Sequence, residues 1–349
     1  MEYLRLKDVC DINMGQSPAS DSYNDDGNGV AFFQGNADFG DRYPVTRKWC
    51  SAPTKMAQPG DILISVRAPI GAINCAKEEC CIGRGLAAVT PDRDKVSPDF
   101  VFWLLKGKKE ELNSKGTGST FKAISRKVLE EILVPNVDLK EQFKYAEILE
   151  KMYFVQKLQK QELKYLNKLI KARFVEMFVG RGYPVMTLDD LSLGKGEYGA
   201  QSASVPYDSS RPRYVRITDI NDDGILNDDV VSSANDKDDE QYKLCYGDFL
   251  FARMGATVGK TYAYTSGNQI FAGYLIRYKL KLEKILPEYL YAYTRLEEYK
   301  NWVILNQSGA AQPGINAKKF GSLQISVAPL EEQQAFADFV RQTDKSKSA

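Results

Sequence analysis

Two short loops carry the residue types in this chain that are best suited to touch a nucleic acid. Residues 115–122 are Lys-Gly-Thr-Gly-Ser-Thr-Phe-Lys, and residues 306–313 are Asn-Gln-Ser-Gly-Ala-Ala-Gln-Pro. Small hydroxyl and amide side chains on a glycine-rich backbone can approach phosphates and base edges closely, and the two lysines add positive charge. The simpler alternative is a surface connection between two elements. We predict that both loops face DNA.

Two arginines follow short apolar segments that have the pattern of strands. Residues 60–67 (Gly-Asp-Ile-Leu-Ile-Ser-Val-Arg) and 247–253 (Gly-Asp-Phe-Leu-Phe-Ala-Arg) both begin with a turn and end on an arginine. Arginine suits contact with phosphate or guanine, so Arg67 and Arg253 are predicted to face DNA. The complete set of candidate DNA-binding residues is Gln34, Asn36, Arg67, Arg84, Lys115, Thr117, Ser119, Thr120, Lys122, Arg216, Thr218, Arg253, Lys260, Gln307, Ser308 and Gln312.

The composition excludes several kinds of catalysis. The chain has no histidine, which removes Ser-His-Asp and Cys-His catalysis as well as histidine-ligated metals. Its six cysteines form no C-x-x-C pair, so we predict reduced thiols and no metal site. Residues 255–261 resemble a phosphate-binding loop but have three residues between the glycines where that motif needs four. A nucleotide hydrolase that uses Lys260 is therefore an alternative that would require ATP binding, which we do not expect.

The chain repeats itself. A segment similar to residues 60–66 occurs 187 positions later, and a segment similar to the one that begins at Pro98 occurs 189 positions later. Residues 124–149 align without a gap on residues 315–340. The last alignment pairs Leu-Lys-Glu-Gln at residue 139 with Leu-Glu-Glu-Gln at residue 330. Loop insertions explain the small drift in the offset. The order of elements is therefore predicted to be globule, helix, globule, helix.

The segment 139–178 contains neither proline nor glycine and predicts one long helix with an apolar stripe that needs a helical partner. Five lysines at helical spacing (Lys157, Lys160, Lys164, Lys168 and Lys171) are interpreted as a solvated face beside this seam. The acidic residues around positions 222–239 should face away from phosphate. The predicted seam residues are Leu139, Phe143, Leu149, Tyr153, Leu163, Leu166, Ile170, Phe174 and Met177 on the first helix, with Leu330, Phe336, Phe339 and Val340 on the second.

These elements predict an α/β fold, of the mixed α+β kind, with two homologous domains rich in irregular loops. The predicted boundaries are 1–137 for the first DNA-recognition domain, 138–180 for the central helix, 181–329 for the second domain and 330–349 for the distal helix. No run of about 18 apolar residues and no signal-peptide core occurs, so a cytoplasmic protein is expected.

The order and duplication of these motifs resemble the specificity subunit of type I restriction-modification enzymes. The resemblance rests on Gly-Asp-Ile-Leu-Ile-Ser-Val-Arg, then Gly-Ser-Thr-x-x-x-Ile, then Val-Pro-x-x-x-Leu-Lys-Glu-Gln leading into a long helix. It implies two target-recognition domains that each bind half of a bipartite site in double-stranded DNA, joined by antiparallel helices that set the spacing. It also implies methyltransferase (modification) subunits docked on the helices, a restriction subunit joined through the complex, and S-adenosylmethionine, ATP and magnesium on those partners, with no cofactor in this chain.

One feature departs from this resemblance. The distal helix has 20 residues where the first copy has 40, which suggests a natural or an artificial truncation. The first half of the central stripe would then lack a cover, and the isolated chain is expected to self-associate or to depend on a modification subunit for solubility. The main alternative function is a stand-alone, self-associating two-domain DNA-binding regulator.

Overall fold

The computed structural model describes residues 2–118, 122–235, 240–309 and 312–347. The chain divides into two compact units, unit 1 (residues 1–158) and unit 2 (residues 159–349). The boundary falls in the middle of the long helix, which contributes twenty residues to each unit. Among the described residues, no helix is both long and apolar enough to cross a lipid bilayer.

Unit 1 consists of short strands and short helices followed by the first half of the long helix. The strands are β1 (Tyr3–Arg5), β2 (Cys10–Met14), β3 (Tyr23–Asn24), β4 (Val30–Phe33), β5 (Trp49–Cys50), β6 (Met56–Ala57), β7 (Ile62–Ser65), β8 (Ile73–Cys75), β9 (Cys80–Ile82), β10 (Leu86–Pro91) and β11 (Leu133–Pro135). The helices are α1 (Leu6–Val9), α2 (Pro98–Gly107), α3 (Lys109–Ser114), α4 (Arg126–Glu130) and α5 (Leu139–Phe178).

Unit 2 has a closely similar series. Its strands are β12 (Val185–Thr187), β13 (Glu197–Tyr198), β14 (Ser204–Pro206), β15 (Arg213–Val215), β16 (Ser232–Ala234), β17 (Asp248–Ala252), β18 (Thr261–Ala263), β19 (Gln269–Phe271), β20 (Leu275–Lys279) and β21 (Gln324–Ser326). Besides the end of α5, its helices are α6 (Pro287–Tyr293), α7 (Glu297–Asn306), α8 (Ala317–Gly321) and α9 (Leu330–Lys347).

Two sheets in each unit correspond strand by strand. The order β2-β10-β7-β8 in unit 1 matches β13-β20-β17-β18 in unit 2, and the pair β1-β11 matches β12-β21. Each unit also has a second sheet that contains one parallel pair, β4 with β9 in unit 1 and β15 with β19 in unit 2. The predicted fold class and the predicted internal repeat are therefore confirmed.

Strand β7 shows why an uninterrupted apolar run forms the centre of each unit. Successive side chains point to opposite faces of a sheet. Ile62 and Ile64 accordingly join the core beneath α2, whereas Leu63 joins a second core with Phe33 and Ile82. A strand covered on both faces needs apolar residues at every position, and the same alternation recurs in β17.

A buried glutamine fixes the start of each long helix to its unit. The Ser97 N–H donates to Gln142 Oε1 at 2.8 Å, and Gln142 Nε2 donates to the Val137 carbonyl at 2.8 Å. In unit 2 the Leu286 N–H donates to Gln333 Oε1 at 2.9 Å, and Nε2 donates to the carbonyls of Lys284 and Ala328. Buried polar groups need hydrogen-bond partners. Each glutamine therefore pairs with a backbone N–H at the start of α2 or α6 and with a backbone carbonyl just before its own helix.

Helix α9 packs antiparallel against the second half of α5. The Phe174 and Phe178 rings lie 5.3 and 5.7 Å from the Phe336 ring, while the Arg173 guanidinium lies 6.0 Å from the Phe339 ring. Contacts thus move back along α5 as they move forward along α9. The short helix is predicted to lie along residues 163–177 of α5. This prediction is confirmed for the C-terminal part of that α5 segment, whereas Leu163, at its start, is exposed.

The first half of α5 presents only one side to unit 1. Ala146 is buried in the core and the Tyr153 ring packs 5.3 Å from Trp103. Asp41 accepts hydrogen bonds from Tyr153 Oη at 2.5 Å and from Lys157, and the first of these raises the pKa of Tyr153 to about 12. Leu139 is half-buried, and the other large apolar side chains are exposed: Phe143, Tyr145, Ile148, Leu149, Met152, Phe154, Val155 and Leu158.

Candidate nucleic-acid interface

Arg67 in unit 1 is presented by a strand end that is held on both sides. The Val66 N–H donates to the Gly85 carbonyl and the Ile124 N–H donates to the Val66 carbonyl, both at 2.9 Å. Arg67 itself forms a β-bridge with Ala123. The side chain of Val66 is buried, whereas that of Arg67 is exposed, so the backbone is fixed while the guanidinium points outward.

A cleft of about 200 Å³ collects four of the residues predicted from the sequence. It is lined by Gln34, Asn36, Arg67 and Arg84, together with Gly35, Ala68 and Gly85. A Cβ atom at Gly85 would lie 2.3 Å from the Gln34 carbonyl oxygen, so only glycine allows the two loops to approach this closely.

The four polar side chains of this cleft are available for an external ligand. None of them forms a side-chain hydrogen bond or ion pair with another residue in the part of the chain that the structure describes. Arginine can donate two hydrogen bonds to guanine O6 and N7, and Asn or Gln can pair with adenine N6 and N7. Two guanidinium groups and two carboxamides therefore give the cleft the donors and acceptors needed to recognise base edges.

The glycine-rich loop of unit 1 lies beside this cleft. The Ala68 N–H donates to the Lys122 carbonyl at 3.1 Å, and Thr117 and Ala123 exchange backbone hydrogen bonds of 2.9–3.0 Å. Lys115 Nζ lies 2.7 Å from Glu111, whose pKa is lowered by hydrogen bonds from Lys108 and then from Lys115. The structure thus brings the predicted loop and Arg67 together. The predicted residues Ser119 and Thr120 lie outside the described residues.

In unit 2 the same backbone arrangement places different side chains. The Arg253 N–H donates to the Tyr274 carbonyl at 3.0 Å and the Ile315 N–H donates to the Arg253 carbonyl at 2.9 Å. Met254 forms the bridge to Gly314. Arg253 is therefore the structural counterpart of Val66, and Met254 is the counterpart of Arg67.

Arg67 and Arg253, which both follow an apolar strand, therefore do not occupy equivalent positions in the two units. A shift of one residue along a strand reverses the direction of the side chain. The Arg253 guanidinium is half-buried, lies 4.8 Å from the centre of the Tyr198 ring and donates to Met254 Sδ. Sequence reasoning missed Tyr198, because its role depends on the pairing of β13 with β20 and not on a local motif.

Two predicted cations of unit 2 are engaged within the chain. Arg216 donates to both carboxylate oxygens of Asp219, at 3.2 Å from Nε and 2.8 Å from Nη2, and Thr218 Oγ1 donates to the same carboxylate. Lys260 Nζ lies 2.8 Å from Asp222, whose pKa it lowers. Asp222 is thus ion-paired with a predicted DNA contact, whereas the acidic residues around it are expected to face away from phosphate.

Three predicted residues of the second glycine-rich loop are exposed. Gln307, Ser308 and Gln312 are accessible, and backbone hydrogen bonds between Ser308 and Gly314 hold the base of the loop. The Gly255 N–H donates to the Pro313 carbonyl at 2.8 Å, so this loop also lies beside the loop that follows Arg253. The contact between a strand-end loop and a glycine-rich loop thus occurs once in each unit.

Comparison with known proteins agrees with this duplication. The sequence model of a family described as "Type I restriction modification DNA specificity domain" matches the chain twice, over residues 1–168 and 183–349. A Methanocaldococcus jannaschii protein named as the MjaX specificity subunit of a type I restriction enzyme is 42% identical over 160 residues, which are 46% of this chain and 38% of that protein.

Two solved structures are also similar. The HsdS subunit from Thermoanaerobacter tengcongensis has 46% sequence identity over 46% of this chain and 39% of its own, with a TM-score of 0.42. The S subunit of a type I restriction-modification system from M. genitalium has 13% identity, covers 99% of this chain and 90% of its own, and has a TM-score of 0.60. The last comparison shows a shared fold. The chain spans about two fifths of the length of the MjaX and HsdS relatives.

Proposed function

We propose, because the chain belongs to the family of type I restriction-modification DNA specificity domains, that each of its two units recognises one half of a bipartite DNA site. The observation that carries this proposal is the cleft of unit 1, where Gln34, Asn36, Arg67 and Arg84 converge with their side chains free of partners among the described residues. Such a set of groups is suited to hydrogen bonding with base edges in the major groove.

The two units have the same backbone and different side chains at the interface, as expected for two domains that recognise different half-sites. Unit 1 offers exposed Arg67 where unit 2 offers Met254, and Arg253 stacks on Tyr198 where unit 1 has buried Val66. Sequence specificity depends on base-edge contacts, whereas phosphate contacts position the protein. We assign the domain limits as 1–137 and 181–329, with the helical segments 138–180 and 330–349 as the spacer.

We assign no catalytic step to this chain and propose that chemistry belongs to partner subunits. The loop at residues 255–260 does not form a phosphate cradle around Lys260, because that ammonium group lies on Asp222 and the Ile220 carbonyl. S-adenosylmethionine, ATP and magnesium are accordingly proposed to bind the modification and restriction subunits.

The exposed apolar side of α5 is proposed as the docking surface for a methyltransferase subunit. Phe143, Met152, Phe154 and Val155 are each more than half exposed. Large apolar patches on a protein surface commonly mark sites of association. At 3.6 residues per turn these four side chains point over about half of the helix circumference, so a partner subunit would have to surround that side of α5.

Mapping of methylated bases in the host genome tests the proposed function. Deletion of the coding sequence is expected to abolish methylation at one bipartite motif, and reintroduction of the chain should restore it. A double Gln34→Ala, Arg67→Ala variant should restore binding of the modification subunit without restoring full methylation at the motif. Methylation that persists unchanged after deletion would contradict the proposal.

A further inference from the structure

A large groove in unit 2 lies between the second half of α5 and the body of the unit. Its volume is about 1470 Å³. Lys160, Lys164, Lys168 and Lys171 form one wall, and the other includes the loop around Lys260 and residues of α6 and α7. The lysine stripe interpreted from the sequence as a solvated face is therefore directed into a groove.

The charge of this groove is positive. Among the described residues that line it, eight are lysine or arginine and five are aspartate or glutamate, whereas the whole chain carries a formal charge of only +1. Three of the carboxylates are already neutralised by ion pairs: Asp222 with Lys260 at 2.8 Å, Asp228 with Arg213 at 2.7 Å and Glu288 with Arg341 at 3.3 Å. Asp223 and Asp344 also line the groove.

The lysines on the helix wall are less neutralised than the cations opposite. Lys171 lies 3.5 Å from Glu297. Lys160, Lys164 and Lys168 form no ion pair with any residue that the structure describes. They recur every four residues, so they span about 12 Å along the helix at 1.5 Å per residue. One DNA strand presents a phosphate about every 3.4 Å along the duplex axis, so this length corresponds to roughly three or four phosphates.

The groove begins at the proposed recognition loops. Ala256, Gly259 and Lys260 line it, and the same loop is joined through Gly255 to the glycine-rich loop at Pro313. We propose, resting on the DNA-binding function above, that the groove holds the phosphate backbone of DNA next to the half-site of unit 2. Lys160, Lys164 and Lys168 of the central helix make these sequence-independent contacts.

The salt dependence of DNA binding tests this assignment. The full chain would be titrated with a duplex of about 30 base pairs of random sequence, at several salt concentrations between about 50 and 200 mM. The test variant combines Lys160→Gln, Lys164→Gln and Lys168→Gln. The matched control combines Lys140→Gln, Lys144→Gln and Lys151→Gln, which removes the same charge from the same helix outside the groove. Glutamine and lysine have similar helix propensities, so both variants should fold.

Each lysine that contacts a phosphate contributes about one to the slope of log K against log salt concentration. The groove variant is therefore expected to have a slope shallower by about 2–3, while the control keeps the wild-type slope. Equal slopes for the wild type and the groove variant would overturn the inference, as would equal reductions in both variants. Loss of co-elution with a methyltransferase subunit at an unchanged slope would assign the stripe to protein docking instead.

The outcome is separable from that of the proposed function. If a bipartite methylation motif depends on the chain but the groove variant keeps the wild-type slope, only the backbone contact is refuted. If the slope falls but deletion of the chain changes no motif, the specificity function is refuted and the groove remains a DNA-backbone site.

Discussion

Arg67 combines a fixed backbone with an exposed guanidinium. Its neighbour Val66 is hydrogen-bonded to Gly85 on one side and to Ile124 on the other. A side chain on such a support loses less conformational freedom on binding than one on a loose loop, so more of its interaction energy contributes to affinity. Arg253 is restrained differently, because its guanidinium already stacks on Tyr198.

We predict that Arg67→Ala and Arg253→Ala each impair recognition of one half-site only. Arg67→Ala should weaken specific binding by about 1–3 kcal/mol and relax the preference at one base pair. Arg253→Ala should have an effect of similar size that is restricted to DNA carrying the cognate second half. Titrations at fixed salt with duplexes altered in one half at a time provide the measurement. Arg93→Ala, an exposed arginine outside the cleft, is the control, and an equal effect from it would refute the assignment.

The cysteines provide a separate check on the packing of single residues. Cys10, Cys50, Cys75, Cys80 and Cys81 are buried, and only Cys245 among the six is exposed. Burial raises the pKa of Cys10 and of Cys80 to about 12, so neither is a thiolate at neutral pH. Since the thiolate is the reactive species, a thiol reagent at pH 8 should modify one cysteine quickly in the native protein. Cys245→Ser should abolish this fast phase, and fast labelling of several thiols in that variant would contradict the fold.

At the scale of elements, the bounds of helices could be predicted from neighbouring residues, whereas contacts between residues distant in sequence could not. The helices α2 and α6 begin at Pro98 and Pro287 as predicted, because proline at the first helical position and an adjacent acid are local signals. The bounds of α5 follow from an uninterrupted helical pattern that ends before Gly180. The contact of Arg253 with Tyr198 could not be predicted in this way, since the two residues are distant in sequence and are brought together by the pairing of strands.

The same limit applied to the lysine stripe and to the cleft. Sequence periodicity placed Lys160, Lys164 and Lys168 on one face of α5, but only the folded unit shows that this face borders a groove. Likewise, Gln34 and Arg84 are separate candidates in the sequence. The parallel pairing of β4 with β9 brings them to one cleft. Residue types could be predicted locally, whereas their grouping required the sheet topology.

The paired glutamines Gln142 and Gln333 yield a prediction for individual elements. Gln142→Leu removes the acceptor of the buried Ser97 N–H, and an unsatisfied buried donor costs about 1–3 kcal/mol. Amide hydrogen exchange should therefore accelerate at Ser97 and at the start of α5. Leu286, which depends on Gln333, should keep its protection. Gln333→Leu should produce the reverse pattern, and a uniform loss of protection in both units would show that the glutamines do not act locally.

For the whole molecule, the internal repeat predicts that the two specificities can be exchanged separately. Each unit has its own sheets and its own hydrophobic cores. Replacement of residues 184–329 by the matching segment of a relative should therefore change one half of the methylated motif and leave the other half unchanged. Sequencing of methylated sites in cells that express the chimaera is the measurement. A chimaera with two altered half-sites would contradict modular recognition.

The final prediction concerns association of the whole chain. Within the described residues, the first half of α5 leaves Phe143, Met152 and Val155 exposed. Complete burial of an apolar side chain of this size contributes about 1.5–3 kcal/mol, so several of them covered together favour a complex over an isolated chain. We expect the purified chain at micromolar concentration to self-associate in light scattering, and addition of a methyltransferase subunit to replace the self-associated species by a defined complex.

A variant with Phe143→Ser, Met152→Ser and Val155→Ser should reduce both kinds of association, because it removes apolar area that the fold of unit 1 does not use. Leu305→Ser is the control, since Leu305 is even more exposed but lies at the end of α7. If the wild-type chain is a stable monomer with no partner present, then the exposed side of α5 does not drive self-association. If it also fails to bind a methyltransferase subunit, the docking surface must lie elsewhere. A hydrophobic driving force predicts a negative heat-capacity change when the complex forms, which calorimetry on the wild type and on the triple variant can resolve.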